Sequence, residues 1–142
     1  MLFRSRQLGF PDPPERTSNT HAEIVAQQAY HAAKLAKAAA IVVFTASGSS
    51  ARLVARFRPP VPIYAFTQTE KVARSLSVVY GVKPVIASEL KSTDEMMGEM
   101  DRMLLERGWV TPRESVVFVA GQPIGRPGTT NLLKLHRVGE SR

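Results

Sequence analysis

The chain has 142 residues, 44% apolar and 22% charged, which is ordinary globular material rather than a disordered or fibrous sequence, and its length fits one compact domain. It contains no cysteine, which excludes a disulfide framework, thiol catalysis and a cysteine-built zinc site. The net charge of +7 raises nucleic acid as a partner, but the cations are scattered and only 7% of residues are aromatic, so a basic pocket for a small anion explains the charge equally well and nucleic acid is not expected.

The opening stretch MLFRSRQLGF lacks the apolar core of a secretory signal. No apolar run reaches the roughly 20 residues that a membrane span requires, so a soluble, cytoplasmic chain with no membrane partner is expected. Residues 1–18, with Pro11, Pro13 and Pro14, read as a linker or lead-in, and residues 19–142 as the domain proper. Thr20 and Glu23 form a T-x-x-E capping box ahead of an alanine-rich helix running to about Ala38. The β-branched run Ile41–Phe44 predicts a buried strand, and Ser49–Phe57 a helix that Pro59 and Pro60 terminate. A second strand is predicted at Ile63–Phe66. Thr67 with Glu70 reads as another capping box, ahead of a helix over Thr69–Val79, with Gly81 as its C-cap. Pro84–Ala87 is the third predicted strand. Ser92 with Glu95 starts a helix over Thr93–Glu106 that Gly108 closes, and Ser115–Ala120 is the fourth strand.

Strands separated by helices imply βαβ units and a parallel sheet. The next connection, GQPIGRPGTTN, has no room for a crossover helix, so the strand Leu132–Val138 should run antiparallel at a sheet edge. Lys134, His136 and Arg137 would guard that edge. The fold class expected is α/β: a three-layer α/β/α sandwich around a five-stranded, mostly parallel sheet with an antiparallel last edge strand.

Ligands of open parallel sheets sit beyond the carboxyl ends of the strands, where strand order reverses. The loop TASGSS (Thr45, Ala46, Ser47, Gly48, Ser49 and Ser50) lies there and leads straight into a helix. A helix N-terminus offers unpaired N–H groups and a partial positive charge; hydroxyls add short donors, and glycine lets the backbone approach closely. One hydroxyl would suffice for a plain helix cap, and this loop has four hydroxyls in six positions. A phosphate cradle is therefore expected, although the glycine spacing is not that of a Walker A loop. The second loop offers Arg126 as a charge-assisted partner, or simply forms a glycine-proline hairpin.

Catalytic machinery is not evident. His21, His31 and His136 fall on the first helix and the edge strand, where a surface or interface role is expected. No G-x-S-x-G elbow, H-E-x-x-H or D-x-D cluster occurs. Asp94 and Glu95 belong to a helix first turn, and the stripe Met96, Met97, Met100, Met103, Leu104 has the spacing of core packing. The chain alone is not expected to be catalytic or to hold a metal or cofactor.

The stretch AIVVFTASGSSARLVARFRPPVPIYAFTQTEKVARSLSVVYGVKPV, followed by GTTNLLKLHRVG, resembles the C-terminal α/β domain of pyruvate kinase from about residue 17 to Gly139. LFRSRQ also looks like the tail of the preceding linker in that family. The resemblance implies an effector-binding and oligomerisation domain of a homotetrameric glycolytic enzyme. That enzyme transfers a phosphoryl group from phosphoenolpyruvate to ADP with Mg²⁺ and K⁺. The catalytic groups belong to a (β/α)8 barrel of roughly 250 residues, which this sequence does not contain. The resemblance also implies a phosphorylated effector, a sugar phosphate or AMP, with its phosphate on Thr45–Ser50. The loop Gly121–Asn131, with Gly121, Gly125, Arg126 and Gly128, would close over the rest. The first helix and the last strand would form a contact between copies. Two features depart from the family: some members carry a basic residue in the first loop, where this chain has Ala46 and Ser49, and Trp109 does not align cleanly with a tryptophan that stacks near the effector in some members. A free-standing phosphometabolite sensor and a small enzyme acting on a phosphorylated metabolite are the alternative readings.

Overall fold

In the structure, a computed structural model that describes residues 20–89, 92–121 and 130–139, helices and strands alternate. Their order is α1 (His21–Ala36), β1 (Ala40–Phe44), α2 (Ser49–Arg56), β2 (Ile63–Thr67), α3 (Glu70–Leu76), β3 (Val82–Ile86), α4 (Thr93–Glu106), β4 (Ser115–Gly121) and β5 (Thr130–Arg137). The sheet order is β3-β2-β1-β4-β5. Three of its four pairings are parallel ladders, β1 with β2, β1 with β4 and β2 with β3, and in the fourth β5 runs antiparallel to β4. The chain steps outward from β1 through β2 to β3, then returns to the other side of β1 with β4. Strand order therefore reverses at β1, directly below the TASGSS loop.

Side-chain alternation sorts the core into two layers. Ile41 and Val43 of β1 face α1, α2 and α3, in company with Ala26, Ala29 and Ala33 of α1 and Val54 of α2. Ala40 and Val42 face α4, which contributes Met96, Met97, Met100, Met103 and Leu104. Strands covered on both faces have no use for polar alternation, which is why β1 reads as an unbroken apolar run. Alanines at three-, four- and seven-residue spacing let α1 lie close to the sheet, and longer side chains there would hold it off.

Cap chemistry sets most helix ends. Thr20 Oγ1 accepts the Glu23 N–H at 3.1 Å, and Glu23 Oε1 accepts the Thr20 N–H at 3.1 Å, so the capping box forms in full. Ser92 Oγ accepts the Glu95 N–H at 3.1 Å to start α4. Gly108, at φ +69°, follows the end of α4 as expected.

Three expectations need correction. The cap of α3 is Thr69, whose Oγ1 accepts the Val72 N–H at 3.3 Å. Thr67 stays in β2, because its carbonyl accepts the Ala87 N–H at 2.9 Å and the ladder holds it extended. Gly81 does not cap α3, which ends at Leu76. It turns the chain into β3 at φ +81°, and its carbonyl accepts the Ile63 N–H at 3.0 Å. β3 also begins earlier than Pro84, with Val82 paired to Ile63; an edge strand tolerates the proline inside it.

His136 is likewise not a solvent-facing guard of the edge. Its Nε2 lies 2.9 Å from Oδ1 and 3.2 Å from Oδ2 of Asp101 on α4. The same carboxylate accepts the Gly139 N–H at 3.0 Å. Both side chains are more than nine-tenths buried. The far end of β5 is thus tied through the sheet face to α4. Lys134 and Arg137 remain exposed on the strand.

Candidate functional site

β1 hands over to the loop at Thr45. Its N–H still bonds in sheet fashion to the Phe66 carbonyl at 3.0 Å, while its Oγ1 accepts the Gly48 N–H at 2.8 Å. That second bond pulls the chain into a tight arch over Ala46 and Ser47, both exposed. Gly48 closes the arch at φ +94° as the N-cap of α2. A β-carbon on it would lie 2.8 Å from Arg52 Nη1 and 3.4 Å from Val72 Cγ1 and Leu76 Cδ2. Glycine is required there twice over, for its conformation and for its lack of a side chain.

The helix that follows starts differently from the other three. α1, α3 and α4 each begin with a side-chain cap (Thr20, Thr69, Ser92) and an acid in the first turn (Glu23; Glu70; Asp94 with Glu95). α2 has neither. Nearby hydroxyls are Ser47 and Ser49, exposed and 3.0 Å apart, with the Ser49 N–H 3.4 Å from Ser47 Oγ. Ser47 Oγ thus accepts the first N–H of the helix; the N–H groups after it and the partial positive charge of the terminus are what an anion would meet.

Ser50 points the other way. It is buried and hydrogen-bonded to the hydroxyl of Thr130, 80 positions further on and also buried. Thr130 opens β5 opposite Gly121 at the end of β4, where the ladder is irregular between Ala120 and Gly121. Gly121 and Thr130 therefore frame the second loop, and the Ser50–Thr130 bond fastens that frame to the start of α2. Gly125, Arg126 and Gly128 lie outside the described residues.

Two contributions were not visible in the sequence. Thr67 ends β2 one position past Phe66, the partner of Phe44, so it stands beside Thr45 across the ladder. Ala65 belongs to the α1–α3 layer and Phe66 to the α4 layer, so alternation turns Thr67 under the loop, on the α2 side. Its Oγ1 is buried and has no partner among the described residues. The second contribution is Arg52, one turn into α2. Its Nη2 donates to Ser75 Oγ at 3.1 Å and to the Ser75 carbonyl at 3.4 Å, and its Nη1 rests against Gly48. The i,i+4 spacing of Gly48 and Arg52 is the signal that could have found it.

Trp109 belongs elsewhere. Its ring stacks on Tyr64 with centroids 4.4 Å apart and planes 1° from parallel. Lys83 and Arg107 each approach the ring to 5.2 Å. Tyr64 and Lys83 are the second residues of β2 and β3, so this cluster sits at the amino end of the sheet, away from the loop. Burial pushes the Tyr64 phenol above its ordinary pKa. His21 and His31 are exposed on α1. Among the described residues no group of three or more histidines or carboxylates could hold a metal ion. No described helix is long and apolar enough to cross a membrane.

The profile of the family described as "Pyruvate kinase, alpha/beta domain" matches residues 23–136, which takes in all five strands but for the last residue of β5. The chain belongs to this pyruvate kinase domain family. It is 44% identical to the pyruvate kinase of Lactobacillus delbrueckii subsp. bulgaricus over 99 residues, covering 70% of this chain and 17% of that protein. Identity to the pyruvate kinase of Staphylococcus aureus (strain bovine RF122 / ET3-1) is 43% over 101 residues, covering 71% of this chain and 17% of that protein. For the strain USA300 enzyme it is 42% over 101 residues. The matched part therefore spans about a sixth of these relatives' length, at 17% of each. As a pyruvate kinase C-terminal domain, the chain presents backbone donors, neutral hydroxyls and one guanidinium at the switch point. That set is suited to holding an anion, and none of its loop members moves a proton near neutral pH.

Proposed function

We propose that this domain is the effector-binding and oligomerisation part of a pyruvate kinase. A phosphorylated metabolite, a sugar phosphate or AMP, would bind at Thr45–Ser50, while phosphoryl transfer from phosphoenolpyruvate to ADP, with its Mg²⁺ and K⁺, belongs to a catalytic barrel. The observation that carries the reading is the start of α2: alone among the four described helices its N-cap residue, Gly48, offers no side chain and its first turn no acid, and it opens at the point of strand reversal. A phosphate there would take the donors that a cap and a carboxylate satisfy in the other helices. The Ser50–Thr130 bond gives the occupied loop a route to β5, and β5 with α1 is the surface expected to meet a second copy.

The test is calorimetric titration of the chain with fructose 1,6-bisphosphate, glucose 6-phosphate, ribose 5-phosphate and AMP. At least one should bind. Thr45→Ala frees the arch and Ser50→Ala unfastens the second loop, so each should weaken that ligand by about 1–3 kcal/mol. Unchanged affinity in both variants removes the loop from the site.

A further inference from the structure

The loop carries no charged side chain of its own, so a dianion bound there needs its counter-charge from outside Thr45–Ser50. We infer that Arg52 supplies it, and that this selects phosphomonoesters in their doubly charged form; the inference rests on the anion-binding reading above. Arg52 is exposed, and among the described residues no carboxylate pairs with it. Its side chain does not extend into solvent. It folds back so that Nη1 comes within 2.8 Å of where a Gly48 β-carbon would stand. Ser75 engages Nη2 and is itself held, donating from Oγ to the Val72 carbonyl at 2.8 Å. The guanidinium is thus parked beside the first turn of α2 with donors to spare, since it carries five N–H groups and Ser75 uses those on one nitrogen.

Two observations besides the helix terminus point to an occupant. One is this uncompensated cation against the loop glycine. The other is the Thr67 hydroxyl, buried beneath the loop without a partner among the described residues. A polar atom in that position is costly to leave unpaired, and a loop that shifts onto an anion can repair it. One guanidinium and one turn of N–H groups match one phosphoryl group, and the pairing is charge-assisted. A carboxylate, with a single charge and two oxygens, satisfies fewer of these donors.

Arg52 could instead be a strut between α2 and α3, and the experiment separates the two roles. Ribose 5-phosphate is titrated into the wild-type chain, Arg52→Gln and Arg52→Lys at pH 5.5 and 7.5, with ribose as the neutral control and thermal melting in parallel. A phosphate group takes its second charge near pH 6 and carries about 1.5 to 2 negative charges near neutrality, so it gains somewhat less than one charge between the two conditions and wild-type affinity should rise severalfold. Arg52→Gln should lose roughly tenfold to a hundredfold at pH 7.5 and flatten that rise, with Arg52→Lys recovering part of both. If Arg52→Gln binds within twofold of wild type and only its melting temperature falls, Arg52 is a strut and the inference is wrong while the anion site stands. If the wild-type chain binds ribose 5-phosphate no better than ribose, and none of the other phosphorylated ligands binds, the anion-site reading fails and this inference with it.

Discussion

Gly48 is the residue on which the loop turns, and its neighbourhood allows a quantitative expectation. An alanine there must adopt φ +94° and place its methyl 2.8 Å from Arg52 Nη1 and 3.4 Å from two side chains of α3. The conformation alone costs about 1 kcal/mol, and displacing Arg52 adds to it. Gly48→Ala should lower stability in urea unfolding by about 1–3 kcal/mol. A change below a few tenths would mean that the arch relaxes freely and is not held by the Thr45 bond. Glycine within a hydroxyl-rich turn is legible in a sequence; the reason no other residue fits is not. It depends on Val72 and Leu76, which lie more than twenty positions away and reach Gly48 only once α2 and α3 are packed side by side.

Among the elements, β5 gains most from the structure. Its antiparallel direction follows from a connection too short for a crossover helix, and so could be read in advance. Its bond to α4 could not, because His136 looks like any polar residue on an alternating strand until α4 is laid beneath it. Asp101 serves both His136 and the Gly139 N–H, so Asp101→Ala would leave the buried His136 ring and the Gly139 N–H without their shared acceptor. We expect a loss of about 2–4 kcal/mol in unfolding experiments. Hydrogen exchange should quicken at the β5 amides near His136 more than at those near Thr130. Equal acceleration along the whole strand would show that the pair is not a local tie. The two misplaced boundaries have similar origins. Thr67 carries the Thr–x–x–Glu signature of a cap, yet the ladder of β2 keeps it; Pro84 suggests a strand start, yet an edge position lets pairing begin two residues earlier. Local signals lost in both cases to hydrogen bonds made across the sheet.

For the molecule as a whole, the outer edge of β5 is the place where copies are expected to meet. Leu135 is 55% exposed there, flanked by exposed Lys134 and by Leu133, which packs toward α1. An apolar side chain on an unpaired antiparallel edge favours pairing with another strand. Leu135→Glu should shift the chain toward monomer in sedimentation velocity without lowering its melting temperature, because the side chain contributes little to the core. A monomeric wild type, or an assembly that ignores the substitution, would move the contact elsewhere. The place of the candidate loop, at the strand reversal and ahead of a helix, was readable because strand order and helix starts leave local traces in the residues. What could not be read was which hydroxyl does what: Ser50 and Ser49 are adjacent and alike in sequence, and only the approach of Thr130 separates a buried tie from an exposed donor.

That approach also sets an order of events. Ser50 meets its partner only when the chain has continued 80 residues past it. A growing polypeptide in which β1 to β4 have already come together still has an unfastened loop at the head of α2, and β5 is what fastens it. Partly synthesised or clipped chains lacking β5 would keep much of the sheet and the whole of the TASGSS sequence. If the loop holds a ligand as proposed, such chains should bind it poorly, and bound ligand would report that β5 is in place.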